Sequence, residues 1–247
     1  MTAMTRIGAG IMWVMATVVA LAPAMMSAPL PNAGFESETF ADWTLEIPRG
    51  RSHYRPRHRP AGTASVVNSW VSQVGLANRF AAEGNYFALL GSLDAGNFRG
   101  NETFDITLGR HLELNAGDVV SGWAFFFNGD STPQDAAWVN IYNGQGALVA
   151  TPWRENSGST GWRDGNTTPF LTATPWTLWE WEAHDAGCYT VQFGLTTGDE
   201  NCDASYGAFD ELLITTGPVS VPEPASGVVL LYGMGALAVF RRWVRRN

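Results

Sequence analysis

The sequence predicts an all-β fold, a single β-sandwich over residues 31–216. Three observations carry this. Short apolar runs recur between clusters of turn residues. A strong hairpin signal, Asn143-Gly144-Gln145-Gly146, separates two such runs. Outside the two chain ends there is no sustained 3.6-residue periodicity, which excludes a helical domain.

The elements follow in order. Tyr86–Leu90 is an apolar run entered through Gly84-Asn85. Residues 102–114 alternate through Phe104, Ile106 and Leu108, then Leu112 and Leu114, with a break near Gly109. Asn115-Ala116-Gly117-Asp118 predicts a turn, and Val119–Phe127 a strongly apolar strand. Ala137–Tyr142 and Ala147–Ala150 flank the hairpin turn. Trp176–Ala183, Tyr189–Thr196 and Ala208–Thr215 complete the strands. Arg49–Gly62, rich in arginine, histidine and proline, predicts an irregular segment. No internal repeat is present.

Composition bounds the function. About 190 residues between the terminal segments suit one domain with its own core. Charged residues make up 15% and hydrophobic residues 45%, a globular balance. The formal charge is −8, and five of the 15 basic residues (Arg6, Arg241, Arg242, Arg245 and Arg246) lie at the ends, so the domain is more acidic still. Such a surface argues against nucleic acid, whose phosphates need a basic face.

Both ends carry export signals. Arg6 precedes an apolar stretch, Ile7–Leu21, and Ala22-Pro23-Ala24 fits a small-x-small cleavage site, so residues 1–24 predict a signal peptide; the alternative is an uncleaved anchor. Residues 217–224 form a proline-rich linker, in which Pro222 and Pro224 keep Glu223 on a stiff extended segment. Residues 225–247 predict a transmembrane helix and a basic tail. The 16 residues Ala225–Phe240 span roughly 24 Å, short of a core of about 30 Å, so Trp243 and Val244 extend the helix. Arg241, Arg242, Arg245 and Arg246 stop it on the cytoplasmic side. The order Val221-Pro222-Glu223-Pro224, apolar helix, arginine cluster resembles the PEP-CTERM sorting signal of Gram-negative surface proteins. That resemblance implies signal peptidase and exosortase as processing partners, a precursor anchored in the inner membrane, and delivery to the cell surface or extracellular matrix.

The body carries a second resemblance. Pro31-Asn32-Ala33-Gly34-Phe35-Glu36 with Trp43, then Glu83-Gly84-Asn85-Tyr86-Phe87, Ala116-Gly117-Asp118, Ala186-Gly187-Cys188-Tyr189 and Ala208–Ile214 follow the order of motifs in jelly-roll domains of the carbohydrate-binding-module type. The resemblance implies a jelly-roll sandwich and a structural calcium at Glu36 and Asp210, with backbone carbonyls near Asn32 and Gly84 completing the shell.

Other candidate residues come from the chemistry of their side chains. Trp153-Arg154 and Trp162-Arg163 flank a polar loop. A flat aromatic face beside a guanidinium suits a sugar ring, and loop tryptophans packed on a sheet edge are the alternative. Trp179 and Trp181 share one strand face and predict core. Arg49–Arg59 holds five arginines with His53 and His58, either a polyanion grip or a solvated loop. Cys188 and Cys202, an even pair in an exported chain, predict a disulfide. No metal-binding spacing, nucleophile elbow or phosphate loop occurs. The expectation is therefore a non-catalytic envelope or matrix protein associated with exopolysaccharide. A carbohydrate-binding module with a defined glycan ligand is one alternative. A glycan-active hydrolase, using a carboxyl pair such as Glu180 and Glu182, is another.

Overall fold

The computed structural model describes residues 30–51, 58–60, 62–72, 75, 77–92, 103–129, 135–157, 166–197 and 204–216. They form sixteen strands: β1 (Thr44–Glu46), β2 (Arg49–Arg51), β3 (His58–Pro60), β4 (Gly62–Val67), β5 (Ser69–Val71), β6 (Asn78–Phe80), β7 (Phe87–Ser92), β8 (Phe104–Leu114), β9 (Val119–Asn128), β10 (Ala136–Asn143), β11 (Leu148–Asn156), β12 (Asn166–Thr167), β13 (Thr172–Ala173), β14 (Thr177–Glu182), β15 (Gly187–Thr197) and β16 (Tyr206–Thr215). One sheet runs β1-β8-β15-β10-β11-β12. The other runs β13-β9-β16-β7-β4, with β14 also paired to β9. The predicted all-β class holds. The signal peptide, the linker and the C-terminal helix lie outside the described residues, among which no helix is long and apolar enough to cross a membrane.

Alternation of apolar and polar residues decides which face each strand buries. Ile106, Leu108, Leu112 and Leu114 of β8 and Tyr189, Val191, Phe193 and Leu195 of β15 enter a core with Val120 and Phe126 of β9 and Phe209 of β16. Phe193 and Phe209 stack across the sandwich with centroids 4.6 Å apart and planes 4° from parallel. Burying each such ring stabilises by about 2–3 kcal/mol. Trp179 belongs to this core, and Trp181 packs half-buried against it, as their shared strand face predicts.

The run Phe125-Phe126-Phe127 needs two cores. Phe126 faces inward, while Phe125 and Phe127 join Phe87, Leu89 and Ala208 in a second cluster on the outer face of the same sheet. The β5–β6 hairpin covers that cluster through Trp70, whose ring lies 5.7 Å from Phe125 and 5.1 Å from Phe127. Trp176 closes the other side, 4.8 Å from Phe125. This hairpin and β4 are additions to the elements the sequence predicts. Arg49–Gly62, expected to be irregular, contributes the β2–β3 ladder and the start of β4.

The expected Cys188–Cys202 disulfide is not found. Cys188 is a free, exposed thiol that donates to Glu113 Oε1 at 3.4 Å. The neighbouring carboxylate pushes its pKa up. Cys202 lies outside the described residues.

Candidate functional site

The site forms where the N-terminal turns, the loop before β7 and a bulge in β16 meet. Residues 31–38 are a succession of tight turns, with positive φ at Asn32 (49°), Phe35 (61°) and Glu38 (59°). Asn32 organises them: its Nδ2 donates to Thr39 O and Ala41 O at 2.9 Å each, and its Oδ1 accepts from Ser37 N at 3.1 Å. Phe35 is fully buried and stacks on Trp43, with centroids 5.1 Å apart. The Arg110 guanidinium lies over Trp43 and donates to Pro31 O at 2.6 Å. With Phe35 fixed, the next residue, Glu36, projects over residues 82–86.

Glu36 Oε1 accepts from Asn85 N at 2.9 Å and Tyr86 N at 3.1 Å, and Oε2 accepts from Asn85 Nδ2 at 3.3 Å. Gly84 makes this approach possible. Its φ is +60°, and an added Cβ would stand 2.3 Å from Glu36 Oε1, so glycine meets both a conformational and a spatial demand.

Asp210 reaches the same loop from the other side. The register of β16 on β9 shifts between Asp210 and Leu212, and Glu211 adopts φ 49°. This bulge aims the Asp210 carboxylate at the loop and returns Leu212 to the core. Asp210 Oδ2 accepts from Ala82 N at 2.8 Å and Glu83 N at 3.0 Å, and Oδ1 accepts from Glu211 N at 2.8 Å. The two carboxylates thus pin four of the five N–H groups from Ala82 to Tyr86, leaving out Gly84.

Their electrostatics diverge. Asp210 is completely buried, and desolvation pushes its pKa up to about 6 against the opposing pull of its three N–H donors. Glu36 is exposed. Desolvation also acts on it, but the N–H groups of Asn85 and Tyr86 outweigh it and lower its pKa. Glu211, raised by desolvation and by Glu83, adds negative charge beside the loop. No cationic side chain among the described residues contributes to Asp210. Among the described residues no three acidic, histidine or cysteine side chains converge as metal ligands. A calcium ion at Glu36 and Asp210 would therefore draw most of its six to eight oxygens from carbonyls and water.

The aromatic candidates fall elsewhere. Trp153 pairs in register with Val139 and points into the main core, edge-on to Phe209 at 6.1 Å. It is 6% exposed, so its ring has no face for a sugar. Arg154, next along the strand, is directed to the opposite face, so the two cannot grip one ring. Trp162 and Arg163 lie outside the described residues, as do most of Arg49–Arg59 and the residues Val221, Pro222, Glu223, Pro224, Arg241, Arg242, Arg245 and Arg246. Glu180 and Glu182 stand exposed on β14. Sequence reasoning gave Asn32 only a backbone role and missed its side chain, and it missed the Glu211 bulge. Only the spacing Asn32–Glu36 hinted at the first, and nothing in the residue types signals the second.

Comparison with known proteins bears on the two parts separately. The described domain is an all-β sandwich. It is similar to a CBM61 module solved with β-1,4-galactotriose (18% identity, covering 77% of this chain and 99% of that one, TM-score 0.41). It is also similar to the K3 cleaved adhesin domain of Lys-gingipain from Porphyromonas gingivalis W83 (15%, 77% and 100%, TM-score 0.42). A third likeness is to the CBM22-1 xylan-binding domain of Paenibacillus barcinonensis Xyn10C (13%, 76% and 94%, TM-score 0.36). No curated protein matches the sequence. Residues 220–246 match the PEP-CTERM protein-sorting motif, which marks the chain as an exported protein.

Proposed function

We propose that this chain is an exosortase-processed envelope or extracellular-matrix protein whose β-sandwich works without catalysis, in association with exopolysaccharide. The sorting motif at residues 220–246 is the observation that carries the proposal. In this reading signal peptidase removes residues 1–24. The helix at 225–247 holds the precursor in the inner membrane, with its arginines in the cytoplasm. Pro222-Glu223-Pro224, on an extended linker just outside the bilayer, is what exosortase meets. The domain supplies a rigid cargo. Glu180 and Glu182 lie on an exposed strand face, not across a cleft as a hydrolase pair would.

A structural calcium at Glu36 and Asp210 is part of the proposal. What supports it is a fully buried carboxylate with no cationic partner among the described residues, whose desolvation a bound cation would offset. Its role would be to hold the 82–86 loop.

Intact mass tests the sorting reading. Protein recovered from the native cell surface should lack residues 1–24 and residues beyond the Pro-Glu-Pro motif. The same protein from a strain without exosortase should keep Asn247. Equal masses ending at Asn247 in both strains would overturn the proposal.

A further inference from the structure

The pinned loop forms one wall of a cleft of about 460 Å³, within the usual range for small-molecule sites. Among the described residues the cleft is lined by Asn68, Ser69, Phe80, Ala81, Gly84, Asn85 and Tyr86. Phe80 stands out. It is 65% exposed, more than any other phenylalanine of the described domain; Phe170 follows at 44%, and seven others are buried. Its backbone is nevertheless held firmly: Phe80 O accepts from Trp176 Nε1 at 2.8 Å, and the next residues are tied down by Asp210 and Glu36. The ring is thus an apolar plane presented to solvent on a fixed support.

The rim matches that plane with neutral hydrogen-bonding groups. Asn68 Oδ1 accepts from Ser69 Oγ at 3.2 Å, and the Asn68 Nδ2 donors have no partner among the described residues. Asn85 Nδ2 is spent on Glu36, which leaves its Oδ1 to accept. Tyr86 Oη donates to Glu38 at 2.8 Å and retains its acceptor lone pairs. The cleft therefore combines amide donors, amide and phenol acceptors and one aromatic face. A sugar ring offers the complement, hydroxyls that donate and accept around an apolar C–H face. Among the described residues that line the cleft none is cationic, and Glu36 and Glu38 stand just behind it, so a uronate or sulfated sugar is disfavoured.

We infer that the Phe80–Tyr86 cleft binds a neutral sugar unit of the surrounding polysaccharide, with Phe80 as the stacking platform and Asn68 and Asn85 as polar contacts. The inference rests on the exopolysaccharide association proposed above and names its site and ligand class. It places the contact on the β5–β6 hairpin and the 82–86 loop, away from Trp153.

Affinity electrophoresis of the exported protein tests it, in gels carrying neutral galactan, xylan, β-glucan or mannan and, in parallel, acidic alginate or polygalacturonate. Retardation by at least one neutral polymer is expected. It should be lost in Phe80→Ala, retained in Phe80→Tyr and weakened in Asn68→Ala, with all variants melting near the parent. Equal retardation of Phe80→Ala and the parent would overturn the site while leaving the polysaccharide association intact. Retardation by acidic polymers alone would overturn the ligand class. No retardation in any gel would remove both the site and the association, while the mass comparison decides the sorting reading independently.

Discussion

Glu36 and Asp210 perform the same task under opposite conditions. Each carboxylate holds two consecutive N–H groups of one loop, Asp210 those of Ala82 and Glu83, and Glu36 those of Asn85 and Tyr86. Glu36 does so in solvent and ionises more readily than an ordinary glutamate. Asp210 does so in full burial and ionises with difficulty. Hydrogen bonds from N–H groups favour a carboxylate only while they outweigh the loss of water around it. At Glu36 they win, and at Asp210 they lose.

The largest effect should follow from Asp210→Ala. It removes the acceptor for three N–H groups and leaves a small void beneath the loop. Loss of roughly 3–4 kcal/mol is expected. Denaturant melts at pH 5, where Asp210 is largely protonated and still accepts, measure it. A loss below about 1 kcal/mol would mean that water replaces the carboxyl and the loop does not depend on it.

The pH dependence of the parent comes next. Asp210 holds its proton more tightly folded than unfolded. Its contribution is therefore fully present below its unfolded value of 3.8 and is lost as pH rises through about 6. The loss amounts to about 3 kcal/mol by pH 7. Glu36 has the opposite sign, stabilising above its unfolded value of 4.5 and losing that as pH falls through its lower folded value. Melting temperature against pH should therefore decline between pH 5 and 7 in the parent and stay flat in Asp210→Asn. Excess calcium should erase the decline in the parent, because a bound cation favours ionised Asp210. A melt at pH 7 that is the same in calcium and in chelator would remove calcium from the site.

The contrast between the two carboxylates also shows what the sequence could reveal. Strand alternation exposed the inward faces of β8 and β15, because period-2 burial depends only on local order. The family resemblance brought Glu36 and Asp210 together, although nothing local says that a loop 49 residues from Glu36 supplies its donors. The burial of Asp210 was not legible, since it follows from a bulge at Glu211, a residue type with no special preference for positive φ. The direction of Trp153 was not legible either: β10 and β11 slip register between Val139 and Ile141, so the inward phase depends on a pairing irregularity. The Cys188–Cys202 separation looked like a loop but contains most of an 11-residue strand.

Gly84 separates the two pairs of pinned N–H groups, and a substitution there tests whether they act as one unit. Gly84→Ala places a side chain at φ +60° and drives it against Glu36. The left-handed conformation costs about 1–2 kcal/mol, and displacing Glu36 adds to it, for a total near 2 kcal/mol. The Asp210 side of the loop should keep its pH signature, read as the same decline in melting temperature between pH 5 and 7. Loss of that signature would show that the two halves of the loop move together.

Glu36→Gln is the mildest change and the sharpest test of the comparison. Glutamine keeps an oxygen to accept from Asn85 N and Tyr86 N but removes the charge that strengthens those bonds. In this exposed position the cost should be about 0.5–1 kcal/mol at pH 7. It should shrink toward zero as pH falls through the lowered folded value of Glu36, where the carboxylate itself becomes neutral. The corresponding neutral substitution, Asp210→Asn, should behave oppositely: as pH rises toward 7 the parent is burdened by a buried charge that asparagine lacks, so the variant gains on the parent. If both variants lose stability in parallel at every pH, burial does not distinguish the two carboxylates, and the loop is held by hydrogen-bond geometry alone.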